Sequence, residues 1–209
     1  MNYFKAVSYL SLKRIAGTLL LICSCLVIVA CSQNEPVEEV ETPKATNSSP
    51  NNEEAIKAVI EKEFNGPDKK YRELWESAMD AIDTQKDDMT QEEYDASLET
   101  PKYQEYMNYM KDSYAPYFTE NGYDTFSRTS AFMYSFSDNE YTLNTSDLNI
   151  IQSENEETLY NFTFNVNYEN KNGETSVYAF DGNAIVPEEG KIGKIQFNDK
   201  DGLGQVIQK

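Results

Sequence analysis

Few residues of this chain could carry chemistry, because histidine is absent and cysteine occurs only near the N-terminus. The sequence contains no histidine, which excludes serine–histidine triads, histidine general bases and the commonest zinc ligand. Its three cysteines, Cys23, Cys25 and Cys31, all lie near the N-terminus. No phosphate-cradling glycine loop and no cluster with metal-ligand spacing occurs, so the sequence predicts no cofactor and no bound metal.

Asp181 is the only acid that interrupts a strongly β-forming run, where it stands between Phe180 and Gly182. A carboxyl buried at that point would have a raised pKa and could act as a general base. The alternating pattern favours another interpretation, because Asp181 shares its parity with Asn183 and would then face water. Asp181 is therefore the single catalytic candidate, and the sequence favours a solvent-exposed position for it.

Aromatic residues form the one pattern that is typical of a binding site. Trp75, the only tryptophan, lies in the apolar stripe of a predicted helix that we expect to cover the sheet; Tyr106 lies on another helix, and Tyr160 and Tyr178 lie on strands. Together they could line a pocket in which phenol hydroxyls bind polar groups. The favoured alternative is that they fill the core and place their hydroxyls at its rim.

A third pattern, Asp199-Lys200-Asp201-Gly202, is similar to part of a calcium-binding loop. Phe197 and Gln208 occupy its first and twelfth ligand positions, and neither is a carboxylate. The sequence therefore predicts a polar turn.

The N-terminus has the pattern of an export signal. Three basic residues precede the uncharged apolar run 15–30, and Ile28-Val29-Ala30-Cys31 resembles the lipobox of bacterial lipoproteins. The resemblance implies that residues 1–30 are a signal peptide and that Cys31 carries lipid, acyl chains such as palmitate included. An uncleaved anchor is the alternative, but 16 apolar residues are fewer than the roughly 20 that span a bilayer. We expect the mature protein on the extracellular face of the cell membrane.

Charge and composition narrow the possible partners. The chain has 18 basic and 36 acidic residues, a net charge of −18, so nucleic acid and anionic lipid are disfavoured as partners. Residues 31–52 are polar and contain three prolines, which is typical of a flexible tether. The expected partners are therefore the membrane, through Cys31, and an unidentified small apolar ligand or protein.

Residues 53–198 show helical spacing first and strand alternation afterwards. Apolar stripes predict helices between Glu53 and Tyr141, and alternation predicts four strands between Leu143 and Phe197; the clearest is Leu159–Tyr168, whose even-numbered residues are apolar. This order predicts a single α+β domain with N-terminal helices packed on a curved antiparallel sheet of about four strands. Residues 199–209 are predicted to be a polar C-terminal tail.

Three short stretches carry a resemblance to a known family. They are Gly66-Pro67-Asp68, Tyr117-Phe118-Thr119-Glu120-Asn121-Gly122-Tyr123 and Tyr160-Asn161-Phe162, and with the helices-then-hairpin order they resemble small lipoproteins of Gram-positive bacilli. Those are similar to the nuclear-transport-factor-two-like (NTF2-like) superfamily, a cone of helices packed into a curved sheet. The resemblance implies the fold, but it implies no single function, since the superfamily holds isomerases, dehydratases and binding modules.

Two functional hypotheses follow. The preferred one is a lipid-anchored, non-catalytic module that binds a ligand or partner. The alternative is a small enzyme of the isomerase or dehydratase type that uses Asp181 or a tyrosine pair in its cone.

Overall fold

The computed structural model describes residues 50–82, 89–137 and 139–208. The predicted signal peptide, Cys31 and the tether up to residue 49 lie outside the described residues. The described part contains six α-helices, two 3-10 turns and four strands: α1 Pro50–Phe64, α2 Lys69–Ala81, α3 Gln91–Leu98, α4 Pro101–Tyr114, the turn Ala115–Tyr117, α5 Glu120–Thr129, the turn Met133–Ser135, β1 Tyr141–Gln152, β2 Leu159–Asn170, β3 Thr175–Ile185, β4 Lys194–Asp199 and α6 Leu203–Ile207. The predicted α+β class is confirmed.

Short polar motifs define where the helices begin. The Thr90 hydroxyl accepts the N–H of Glu93 at 3.2 Å, and the Glu93 carboxylate accepts the N–H of Thr90 at 2.9 Å, which is the reciprocal capping box at the start of α3. Each of three other helices is capped by the side chain that precedes it: α2 by Asp68, α4 by Thr100 and α5 by Thr119. The sequence contains these signals in readable form.

The sheet is a meander of four antiparallel strands in the order β1-β2-β3-β4. The alternation in β2 is confirmed, because Tyr160, Phe162, Phe164 and Val166 are buried while the residues between them are exposed or half-buried. Tyr168, at the outer end of the same face, is half-buried. One face of the sheet therefore carries the core.

Helix α1 covers that face. The Phe64 ring lies 4.9 Å from the ring of Phe164, 4.8 Å from Phe180 and 5.1 Å from Phe197 (centroid distances). These edge-to-face contacts fill the space between helix and sheet. The expectation that the helix with Trp75 would be the cover was wrong: α2 packs mainly against α4, because α1 already occupies the sheet face.

The C-terminal segment and the start of the domain correct two predicted boundaries. The Asp199 carboxylate accepts the backbone N–H groups of Gly202, Leu203 and Gly204 at 2.8, 3.0 and 2.8 Å, and these bonds start α6. Leu203 and Ile207 are buried, so residues 199–208 are part of the domain rather than an exposed tail. At the other end, α1 begins at Pro50, three residues before the predicted start at Glu53.

Candidate binding cleft beside α2

Asp181 lies on the outer face of the sheet, as its parity with Asn183 predicted. Its carboxylate accepts a hydrogen bond from the Asn198 amide at 2.9 Å and forms an ion pair with Lys200 at 2.6 Å. The bond from Lys200 lowers the pKa of Asp181, which keeps the carboxylate ionised and makes it a weak base. It borders a shallow, open groove of about 380 Å³ on the outer face.

Two of the four aromatic candidates lie in the sheet, Tyr160 on β2 and Tyr178 on β3, and they have different neighbours. Tyr160 is fully buried, and its hydroxyl accepts a hydrogen bond from the Asn52 amide at 2.9 Å. Tyr178 is half-buried and packs edge-on against Tyr168 at 6.2 Å. Both contribute to the packing of the sheet, and neither lines a described cleft.

Trp75 lies in a different environment from the predicted core position. It is half-buried on α2, and its ring stands edge-on to the ring of Phe136 at 4.7 Å. Phe136 itself is 50% exposed. The two rings border an open cleft of about 850 Å³ between α2 and the end of the 3-10 turn Met133–Ser135 with the residues that follow it. The described residues that line the cleft are Tyr71, Arg72, Trp75, Glu76, Ser135, Phe136, Ser137, Asn139 and Gln208. We call this space the α2 cleft.

Arg72 connects the two sides of the α2 cleft. Its Nε donates to the carbonyl of Ser135 at 2.7 Å, Nη2 donates to the Tyr141 hydroxyl at 3.1 Å, and Nη1 donates to the carbonyl of Asn139 at 3.4 Å. The guanidinium also lies 5.3 Å from the centroid of the Tyr141 ring. The wall opposite α2 is formed by the described residues Ser135, Phe136, Ser137 and Asn139. The bonds from Arg72 hold the carbonyls at its two ends, those of Ser135 and Asn139.

The C-terminal helix supports the same wall. The carbonyl of Ile207 accepts one hydrogen bond from the Ser137 hydroxyl and one from the Asn139 amide, both at 2.8 Å. Because Ile207 is buried, these bonds attach the wall to the packed end of α6. The α2 cleft is thus lined by aromatic rings from both sides, among them Trp75 and Phe136, and by polar groups of α2 and of the opposite wall.

Tyr106, the fourth aromatic candidate, lines a smaller groove next to the α2 cleft. This groove of about 280 Å³ lies between α4 and the 3-10 turn and shares Tyr71 and Phe136 with the cleft. The Tyr106 ring lies 5.9 Å from that of Tyr71. The structure therefore brings Tyr106 and Trp75 to adjacent grooves, whereas Tyr160 and Tyr178 lie elsewhere.

Glu63 is a functional candidate that the sequence interpretation missed. It is only 1% exposed, and its Oε2 accepts the Tyr114 hydroxyl and the N–H of Phe132, both at 2.7 Å, while Oε1 accepts the N–H of Tyr134 at 3.2 Å. Phe132 has a left-handed backbone with φ of 57°. Glu63 therefore holds the strained start of the 3-10 turn that leads to Phe136.

Burial raises the pKa of Glu63 to about 7, although the hydrogen bonds from Tyr114 and from the backbone favour the ionised form. A signal for this residue was present in the sequence. Glu63 has helical spacing with Ile56, Val59 and Ile60, so an acid stands on the apolar face of α1. Its three donors come from distant segments, which no local pattern could show.

A second polar network connects three helices behind the α2 cleft. The Asp68 carboxylate, which caps α2, accepts hydrogen bonds from the Lys62 ammonium at 2.7 Å and from the Tyr109 hydroxyl at 2.8 Å. Lys62 also donates to the Tyr109 hydroxyl at 3.1 Å. This network fixes the start of α2 against α1 and α4, so that Arg72 and Trp75 project from a rigid base.

Three findings bear on other possible functions. Within residues 50–82, 89–137 and 139–208, no group of three or more acidic or cysteine side chains could hold a metal ion. No helix in the same ranges has the length and apolar character needed to cross a membrane. Comparison of the chain with protein-family models, curated proteins and solved structures found no match.

Proposed function

We propose that this chain is a lipid-anchored protein of the outer face of the cell membrane, and that its α+β domain binds a ligand or partner in the α2 cleft. The observation that carries the binding proposal is the aromatic pair at the cleft: Trp75 stands edge-on to a half-exposed Phe136, beside Arg72. An open space of about 850 Å³ falls within the range of small-molecule sites, roughly 300–1,000 Å³.

Exposed apolar side chains beside the α2 cleft support the proposal. Met133 is 49% exposed and Phe136 is 50% exposed, and they lie at the two ends of the same 3-10 turn. Complete burial of an exposed side chain of this size contributes roughly 1.5–3 kcal/mol, and about half of that remains available where the side chain is already half-buried, so a ligand that covers this surface gains binding free energy. Glu63 accepts the N–H of Phe132, which precedes Met133, and Arg72 donates to the carbonyl of Ser135, which precedes Phe136; these bonds hold the neighbouring backbone and favour binding to a preformed site.

The anchor is proposed on sequence grounds, and the fold relationship on the order of the helices and strands. The basic, apolar and Ile28-Val29-Ala30-Cys31 segments support lipidation at Cys31. The order of helices followed by a curved four-stranded antiparallel sheet supports a relationship to the NTF2-like superfamily.

The enzyme alternative has less support. One of its two catalytic candidates, Asp181, is an ion-paired group on the outer face of the sheet; the other is a tyrosine pair in the cone. The inner face, where a cone pocket would lie, is occupied by Phe64, Phe164, Phe180 and Phe197 in mutual contact. We therefore retain the binding module as the proposed function.

A site-specific photo-crosslinker tests the binding proposal in intact cells. p-Benzoylphenylalanine at position 136 should give discrete adducts after irradiation, since Phe136 borders the α2 cleft. The matched control carries the same group at Val177, which is 60% exposed on the sheet. Equal adduct patterns from both positions, or adducts from position 177 alone, would contradict a binding site at the α2 cleft.

A further inference from the structure

Arg72 is a cation without an acidic partner in the described part of the chain. Its three hydrogen-bond acceptors are the carbonyls of Ser135 and Asn139 and the hydroxyl of Tyr141, all of them uncharged. Among the described residues, no carboxylate lies within 4.0 Å of its guanidinium. In a chain with a net charge of −18, a half-buried guanidinium at a cleft with no described carboxylate beside it is an unusual placement.

The hydrogen bonds of Arg72 leave donors available for a ligand. A guanidinium has five N–H groups, and the three bonds described use one on Nε, one on Nη1 and one on Nη2. One N–H therefore remains on each terminal nitrogen. Two donors on neighbouring nitrogens match the two oxygens of a carboxylate, and such charge-assisted pairs are about twice as strong as neutral hydrogen bonds.

The surroundings of Arg72 define the rest of the ligand. Trp75 lies three residues further along α2, on the same side of the helix, and its ring and that of Phe136 line the cleft from opposite sides. Glu76, one turn beyond Arg72, is the only acid among the lining residues that the structure describes, and it is exposed. Among the described lining residues, Arg72 is thus the one positive charge, and it lies next to the aromatic rings of Trp75 and Phe136.

We infer that the α2 cleft binds an organic carboxylate with an apolar body: Arg72 pairs with the carboxylate, and Trp75 and Phe136 contact the aromatic or alkyl part. This inference rests on the proposed binding function and adds the chemical class of the ligand. It also gives Glu76 a role, since its negative charge at the rim opposes anion binding and limits affinity.

The emission of Trp75 provides a direct measurement, because it is the only tryptophan in the chain. The full-length protein is reconstituted in phosphatidylcholine vesicles and titrated with 4-phenylbutyrate or with its neutral amide, 4-phenylbutyramide. The expected result is a saturable change for both compounds, with the carboxylate bound roughly tenfold more tightly. Partition into lipid would favour the amide instead, and so cannot produce this preference.

Two variants test the role of charge. Glu76→Gln should tighten phenylbutyrate binding about two- to threefold and so raise the preference for the carboxylate over the amide, since the charge of the exposed Glu76 opposes the anion. Arg72→Gln should abolish the preference for the carboxylate. Because that change can also loosen the wall at Ser135 and Asn139, amide binding that remains saturable is the check that the cleft is intact.

The outcomes separate this inference from the proposed function. Equal affinity for acid and amide would overturn the carboxylate class and leave a binding cleft in place. A saturable response that Glu76→Gln does not strengthen would also overturn it. No saturable response to either compound would overturn the inference, and the crosslinking experiment at position 136 would then decide the binding function by itself.

Discussion

At the scale of single residues, Glu63 connects segments that are distant in the sequence. One carboxylate accepts hydrogen bonds from Tyr114, Phe132 and Tyr134, and thereby joins α1, α4 and the turn that leads to Phe136. Removal of such a buried acceptor leaves donors unpaired, which costs roughly 1–3 kcal/mol for each uncharged group. The position of the α2 cleft wall therefore depends on a residue that lines no described cleft.

Glu63 also makes the free energy of unfolding depend on pH. In the folded protein it keeps its proton up to about pH 7, whereas in the unfolded chain it releases the proton near its ordinary pKa of 4.5. Its stabilising contribution is therefore fully present below pH 4.5 and is lost as the pH rises through 7, a change of about 3 kcal/mol.

Urea unfolding of the wild type and of Glu63→Gln at a series of pH values measures this contribution. The free energy of unfolding of the wild type relative to the variant should fall as the pH rises from 4.5 to 7. Glu54→Gln, an exposed change on the same helix, should run parallel to the wild type. A wild-type advantage that grows over this pH range would contradict the assignment to Glu63.

At the scale of elements, β3 and β4 approach each other and β2 closely at Gly182. A Cβ at this position would meet two Phe162 ring atoms at 2.6 Å and would overlap the backbone carbonyl of Gln196. Because that carbonyl belongs to the neighbouring strand, it cannot move without disturbing the sheet. Any side chain at position 182 therefore separates two strands.

Gly182→Ala should lower the free energy of unfolding by about 1–3 kcal/mol, as overpacking of a buried position typically does. Gly204→Ala is the matched control: its Cβ would meet its nearest neighbour at an ordinary 3.6 Å, and alanine favours the helix α6. Comparison of the two urea midpoints checks the argument. Equal urea midpoints for Gly182→Ala and Gly204→Ala would contradict the close approach of β3 and β4 at Gly182.

Helix α6 is the element whose role the sequence least indicated. Leu203→Ala should cost about 2–4 kcal/mol, since the fully buried side chain leaves a cavity. Gln205→Ala, exposed on the same helix, should change the free energy of unfolding by less than about 0.5 kcal/mol. Thermal unfolding measures both variants. If both unfold at the same temperature as the wild type, residues 199–209 form the exposed tail that the sequence predicted.

The sequence predicted most of the elements because their signals are local. The caps at Thr90, Thr100 and Thr119 and the alternation in β2 depend on residues within a few positions of one another. The site was less predictable, because its parts are distant: Arg72 binds carbonyls beyond residue 134, and α6 contacts the same wall from the C-terminus. Apolar periodicity also could not tell which helix, α1 or α2, would cover the sheet.

At the scale of the whole molecule, we expect a domain that is held at the membrane surface by the lipid on Cys31, with the α2 cleft open to solvent. Cys31→Ala should prevent lipidation, which fatty-acid labelling of the protein measures directly. The wild type should incorporate label and the variant should not. Equal labelling of the wild type and the variant would mean that the lipid is attached to another residue. Absence of label from both would contradict lipidation of this protein.

Hydrogen–deuterium exchange of the full-length protein in vesicles, with and without 4-phenylbutyrate, tests binding at the α2 cleft most directly. We expect added protection in peptides that contain Arg72, Trp75 and Phe136, and unchanged exchange in peptides that contain Asn161 and Asp181. Protection confined to the groove at Asp181, with none beside α2, would contradict binding at the α2 cleft.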